Sequence, residues 1–246
     1  MDAVAVAAIL AAGAGTAVGG LFLLVLPRPS ELVLSVLLGF TAGVMLAATA
    51  FSLLVPALDL GSLHDVLAGF ALGALLFAGL DAAVPHMHAR FSERDHPRVA
   101  ERHRAALLLS ALTLHNIPEG LAVGVAFAAG GSELGVPLAI AIGIQNVPEG
   151  FAAAAPLVAS GARSLVAVGF AAATGAVEPP AAFAAFGAFD LVSGLLPAGL
   201  AFAAGAMLYV VVDELIPESH ARKREREATL ALMGGFALML GLDNAF

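Results

Sequence analysis

Two six-residue stretches hold most of the residues that could do chemistry: His115-Asn116-Ile117-Pro118-Glu119-Gly120 and Gln145-Asn146-Val147-Pro148-Glu149-Gly150. Each sets a carboxylate and two further polar side chains inside a long apolar run. His115 and Glu119 are four residues apart, as are Gln145 and Glu149. On a helix each pair therefore shares a face, which Asn116 and Asn146 extend sideways. A third carboxylate, Glu178, lies in another apolar run just before Pro179-Pro180. An acidic residue at the centre of a membrane helix costs roughly 2.5–3.5 kcal/mol, so three uncompensated ones would cost about 8–10 kcal/mol. They must be protonated, hydrated in a cavity, or neutralised by a bound cation. One imidazole with several carboxylate and amide oxygens suits a borderline divalent transition metal better than Na⁺ or Mg²⁺. Met45, midway along another apolar run, is deep enough to add a thioether, or simply to pack the core.

The elements that must position these groups are membrane helices. Of 246 residues, 60% are hydrophobic and 12% charged, and the mean hydropathy is +0.96. That leaves too little polar surface for an ordinary soluble domain. Apolar runs long enough to cross about 30 Å of hydrocarbon occupy residues 4–26, 32–57, 66–84, 105–129, 136–159, 165–189, 195–212 and 229–242. This pattern predicts an all-α membrane protein of eight transmembrane helices, a single polytopic domain over residues 1–246. Its one long connection is a His/Arg-rich loop over residues 85–104. Cysteine is absent, which excludes disulfides and thiolate metal sites, and Tyr209 is the single tyrosine. The start, Met1-Asp2-Ala3, lacks the basic region of a cleaved signal peptide.

The eleven basic residues are Arg28, Arg90, Arg94, Arg98, Arg102, Arg104, Arg163, Arg222, Lys223, Arg224 and Arg226. They fall only after the first, third, fifth and seventh runs. By the positive-inside rule those connections are cytoplasmic and both termini lie outside. No Lys or Arg is then within reach of the buried carboxylates, which favours a bound cation as their partner. The fourth and fifth helices run in opposite directions, so their motifs form an inverted pair near the midplane, a common setting for transporter sites. Pro118 and Pro148 free the carbonyls of Leu114 and Ile144 and permit kinks. Glycines four apart at Gly15/Gly19, Gly39/Gly43, Gly69/Gly73 and Gly120/Gly124 let helix backbones approach closely.

At these residues the chain resembles the ZIP family (Zrt/Irt-like proteins) of divalent-metal transporters, in particular its bacterial branch. The resemblance covers the whole chain. It rests on the two xNxPEG motifs, the Glu178-Pro179 pair and Asp213-Glu214-Leu215-Ile216-Pro217-Glu218. It implies an inverted-repeat bundle with a central binuclear metal site on helices 4, 5 and 6. The first position would use Met45, His115, Glu119, Gln145 and Glu149; the second Asn116, Glu119, Asn146, Glu149 and Glu178, the two bridging glutamates serving both. Many relatives have an acidic residue or His where this chain has Asn146, so the second position is implied to be auxiliary or of lower affinity. An outer path would include Ser52, Asp59 and Asp243. A cytoplasmic exit would include Asp81, His86, His88, Asp213, Glu214, Glu218 and His220, with His96 and His103 in the same receiving loop.

The expected function is transport of Zn²⁺, and also Cd²⁺, Fe²⁺ or Mn²⁺, across the inner (plasma) membrane into the cytoplasm. The resemblance implies that helices 1, 4, 5 and 6 slide as a group against the rest, and that a homodimer is possible. Zn²⁺ or Cd²⁺ would be substrate rather than cofactor, with no nucleic-acid partner. No G-x-x-x-x-G-K-[ST] sequence is present to bind a nucleotide. An intramembrane metal-dependent hydrolase and a proton-coupled carrier without metal are the alternatives. The absence of an HExxH sequence counts against the first.

Overall fold

A computed structural model describes residues 1–26, 29–83, 97–159, 161–221 and 223–245. Among them every regular element is helical, and seven helices are long and apolar enough to cross a membrane. They comprise α1 (Ala3–Leu21), α2 (Glu31–Ala47), α3 (Val55–Leu60), α4 (Leu63–Ala83), α5 (Pro97–Ala159), α6 (Ser164–Gly175), α7 (Glu178–Leu191), α8 (Leu196–Val210), α9 (Ile216–His220) and α10 (Glu225–Ala245). α2 runs into α3, and α8 into α9, without interruption.

The structure departs from the expected spans in three places, each with a local cause. The fourth and fifth spans, expected as separate helices, form α5, whose only non-helical residue is Gly131 (φ 56°, ψ −140°). A left-handed φ of this kind is open to glycine and strained for other residues. The two limbs fold back on each other there: His115 meets Glu149, and Glu119 meets Gln145, both pairings centred on residue 132. Pro118 and Pro148, where kinks were expected, interrupt neither limb. The sixth span is broken instead. α6 stops at Gly175 and α7 begins at Glu178, with prolines filling the first turn, where a missing N–H costs nothing.

The third departure concerns helix winding. Residues Ala48–Leu54 and Val211–Leu215 are wound as π-helix. Each segment ends one residue short of a proline, Pro56 or Pro217, whose ring cannot donate the usual hydrogen bond. These widened turns carry Ser52 in one case and Asp213 and Glu214 in the other.

Glycine contacts divide the bundle in two. Cβ atoms added to Gly15 and Gly19 would strike backbone of Gly143 and Val147 on α5, and Cβ atoms on Gly120 and Gly124 that of Glu178 and Ala182 on α7. Gly39 and Gly43 abut Ala228 and Leu232 on α10; Gly69 and Gly73 abut Ala198 and Phe202 on α8. All four predicted pairs therefore form backbone-to-backbone seams. Each seam lies within the set α1, α5, α6 and α7 or within the set α2, α4, α8 and α10. Between the sets the packing is through side chains of a shared apolar core that includes Met45, Leu53, Val123, Ile142 and Met207.

Candidate metal centre

The hairpin of α5 stacks the two motifs at the junction of the two helix sets. His115, Glu119, Gln145 and Glu149 expose 2%, 0%, 0% and 2% of their surface. Nε2 of His115 lies 3.5 Å from Oε1 of Glu149. One ligand atom from each of His115, Glu119 and Glu149 falls within 4.8 Å of the others. The Gln145 amide nitrogen donates to Oε1 of Glu119 and, at 2.7 Å, to Oδ1 of Asn146.

Unmet hydrogen-bonding capacity marks what this arrangement can do. His115 Nε2, Glu119 Oε2, Gln145 Oε1 and both Glu149 oxygens are buried without a hydrogen-bond partner among the described residues. The two polar side-chain atoms of Asn116 are in the same condition. A buried polar atom without a partner costs about 1–3 kcal/mol, more when charged. Five such atoms on four converging side chains suit an electropositive guest with nitrogen and oxygen ligands. Met45 is fully buried on α2 and its backbone carbonyl accepts a 2.8 Å bond from Thr49.

Glu178 stands at the first position of α7, where the positive end of the helix dipole favours a carboxylate. Its oxygens accept from Asn146 Nδ2 at 2.8 Å and from Thr16 Oγ1 at 3.2 Å. Asn146 Nδ2 also donates to the carbonyl of Ala12 at 2.9 Å. Thr16 was not singled out in the sequence, yet it sits between Gly15 and Gly19 on a seam that carries it to Glu178. Thr41 is a further unanticipated contact, donating across the junction to the Gln145 carbonyl at 3.3 Å.

The residues expected along the exit separate into groups. Glu214, expected on the cytoplasmic exit, reaches His115: its Oε2 lies 3.4 Å from Nδ1. Asp81 accepts a 3.2 Å bond from Tyr209, and both line, with His115, Glu214 and Phe77, a cavity of about 10 Å³. Asp213 is exposed and Glu218 half-buried. His220 is engaged elsewhere, one ring nitrogen on the Ile216 carbonyl and the other on Thr229. His86, His88 and His96 lie outside the described residues, as does the side chain of His103. On the opposite side, Ser52 donates to Asp243 at 2.7 Å, while Asp59 is exposed on α3. Tyr209 could have been flagged as a polar group one helical turn from Asp213.

The ZIP zinc transporter family matches residues 85–243. Zinc transporter GufA of Myxococcus xanthus is 45% identical over 243 residues, covering 95% of both chains. The chain belongs to the ZIP family. Zinc transporter ZIPB of Bordetella bronchiseptica is 43% identical over 94% of this chain and 78% of its own. Human zinc transporter ZIP11 is 32% identical over 93% of each. These ZIP relatives are named as transporters, and the helices of this chain are those of a multi-pass membrane protein.

Proposed function

We propose that this ZIP protein carries Zn²⁺ into the cytoplasm through a site made by His115, Glu119, Gln145 and Glu149, with Met45 as a fifth donor. The observation that carries this reading is the convergence of unpartnered buried ligand atoms on those four side chains. Cd²⁺, Fe²⁺ and Mn²⁺, with similar ligand preferences, are the other expected cargoes. Membership of a family whose named members are zinc transporters supports the same reading and does not favour the hydrolase alternative.

The reading includes eight crossings with both termini outside the inner membrane. The apolar stretch Thr113–Ala159 is 47 residues long, about 70 Å if straight and more than twice the hydrocarbon thickness. Folded at Gly131, it supplies two crossings. Arg163, Lys223, Arg224 and Arg226 then share the cytoplasmic side. Alternating access would proceed by sliding α1, α5, α6 and α7 against the remaining helices. The glycine seams support this, since they hold each set together and none bridges the two. Ser52, Asp59 and Asp243 would line the outer approach, and Glu214, Asp81, Asp213 and Glu218 the way inward.

The test is ⁶⁵Zn²⁺ uptake by purified protein in liposomes, comparing wild type with His115→Ala. Loss of even a supporting group around a metal costs 10–100-fold, so this variant is expected to be slower by at least about tenfold. Wild-type vesicles that accumulate no zinc, or a His115→Ala rate equal to wild type, would exclude the assignment. Tyr209→Phe removes only the hydroxyl bonded to Asp81, worth about 0.5–1.5 kcal/mol. Uptake should fall about two- to tenfold while Cd²⁺ affinity stays as in wild type; an altered affinity would place Tyr209 in the site rather than beside it.

A further inference from the structure

The two halves of the centre differ in one respect that bears on how many ions it holds. Among the described residues, His115, Glu119, Gln145 and Glu149 keep five ligand atoms without a hydrogen-bond partner, and Asn116 keeps both of its polar atoms so, whereas every polar side-chain atom of Asn146 and Glu178 is engaged. The Ala12 carbonyl can only accept, so the Asn146 group facing it at 2.9 Å is the amino group. That amino group spends its two protons on Ala12 and on Glu178 Oε2. Oδ1 of Asn146, the atom a metal would require, is held at 2.7 Å by the Gln145 amide nitrogen. Glu178 has its other oxygen on Thr16.

We infer that this protein carries one metal ion at a time, because the Asn146 amide closes the adjoining position by hydrogen-bonding Glu178. The inference rests on the metal reading of the His115 half and departs from the binuclear site implied by resemblance. Asn146 acts here as a positioning residue. Its amino group lies between the Glu178 carboxylate and the Ala12 carbonyl, and with Thr16 it ties α1, α5 and α7 together from within one helix set. The physical reason is charge. A carboxylate at position 146 would face the Glu178 carboxylate at hydrogen-bonding distance, and two like charges so close demand a proton or a cation between them. A neutral amide supplies its own positive hydrogens and removes the demand.

Equilibrium binding of Cd²⁺ to the purified full chain in detergent, read as ions per chain by elemental analysis, tests this. Wild type is expected to bind one ion, lost in Glu149→Ala and retained in Glu178→Gln. Asn146→Asp is expected to bind two, falling back to one in Asn146→Asp/Glu178→Gln. Two ions on wild type with one lost in Glu178→Gln would overturn the inference while leaving the transport reading intact. One ion on Asn146→Asp, in protein that still runs as a single species on size exclusion, would overturn the role given to Asn146. No ion on wild type would remove the proposed function itself, and this inference with it.

Discussion

Liposomes reconstituted with Glu119→Ala or Glu149→Ala should take up ⁶⁵Zn²⁺ at least about 100-fold more slowly than wild type. Disturbing a group that merely supports a ligand costs 10–100-fold in metal affinity or activity. These substitutions remove the ligand oxygens themselves. Glu149 has two unpartnered buried oxygens and Glu119 one, so each loss strips both charge and coordination from the same point. The apolar surroundings offer little in exchange: water entering the enlarged space could replace an oxygen, but not its negative charge. Glu133→Ala is the control, since that carboxylate is exposed on α5 close to the Gly131 bend. It should transport as wild type does. Rates for Glu119→Ala and Glu149→Ala within threefold of wild type, at equal reconstitution, would show that neither carboxylate carries cargo.

The second large effect should come from one methyl group placed in the seam between α2 and α10. In Gly43→Ala the new Cβ would overlap the Leu232 carbonyl and come within 2.8 Å of the Phe236 nitrogen. Both are backbone atoms of α10, so no rotamer change relieves the clash and the two helices must separate. Overpacking of this kind costs about 1–3 kcal/mol, occasionally more. A seam of several close-packed residues should lose its fit together, lowering the melting temperature in detergent by several degrees. Gly79→Ala is its counterpart on α4, where an added Cβ meets nothing within 4 Å. Alanine is the better helix former by roughly 0.5–1 kcal/mol, so this variant should melt no lower than wild type. Equal melting temperatures for the two variants would contradict the close packing of α2 on α10.

That the polar side chains of the centre would come together was legible because helical spacing is local. His115 with Glu119, and Gln145 with Glu149, share faces through a four-residue interval that any helix reproduces. The expectation that no Lys or Arg pairs with the carboxylates followed from where those residues occur in the chain. The glycine pairs announced close seams, and all four are present. Spacing could not say which helix each pair would meet, because that depends on the neighbour's surface as much as on the glycines. Nor did hydropathy reveal the break before Glu178. Alanine, valine and glycine read as apolar whether the backbone continues or stops, and the two prolines suit a helix start as well as a kink.

Glu214 and Asn146 mark the boundary most clearly. Sequence alone determined that this chain crosses a membrane many times and places three carboxylates, an imidazole and amides within apolar runs that contain no Lys or Arg. On the proposed reading these groups also set the chemistry of the cargo. Tertiary structure decided how each ligand is held. Glu214 reaches His115 across 99 residues of chain, Asn146 meets Ala12 across 134, and Thr16 meets Glu178 across 162. The last two arise because glycine seams bring α1 against α5 and α7, the first crosses the junction between the two helix sets, and no interval along one helix encodes any of them. On the proposed reading the side chains set which ion the centre attracts; the packing of α1 and α7 on α5 decided which buried polar atoms lack a hydrogen-bond partner among the described residues.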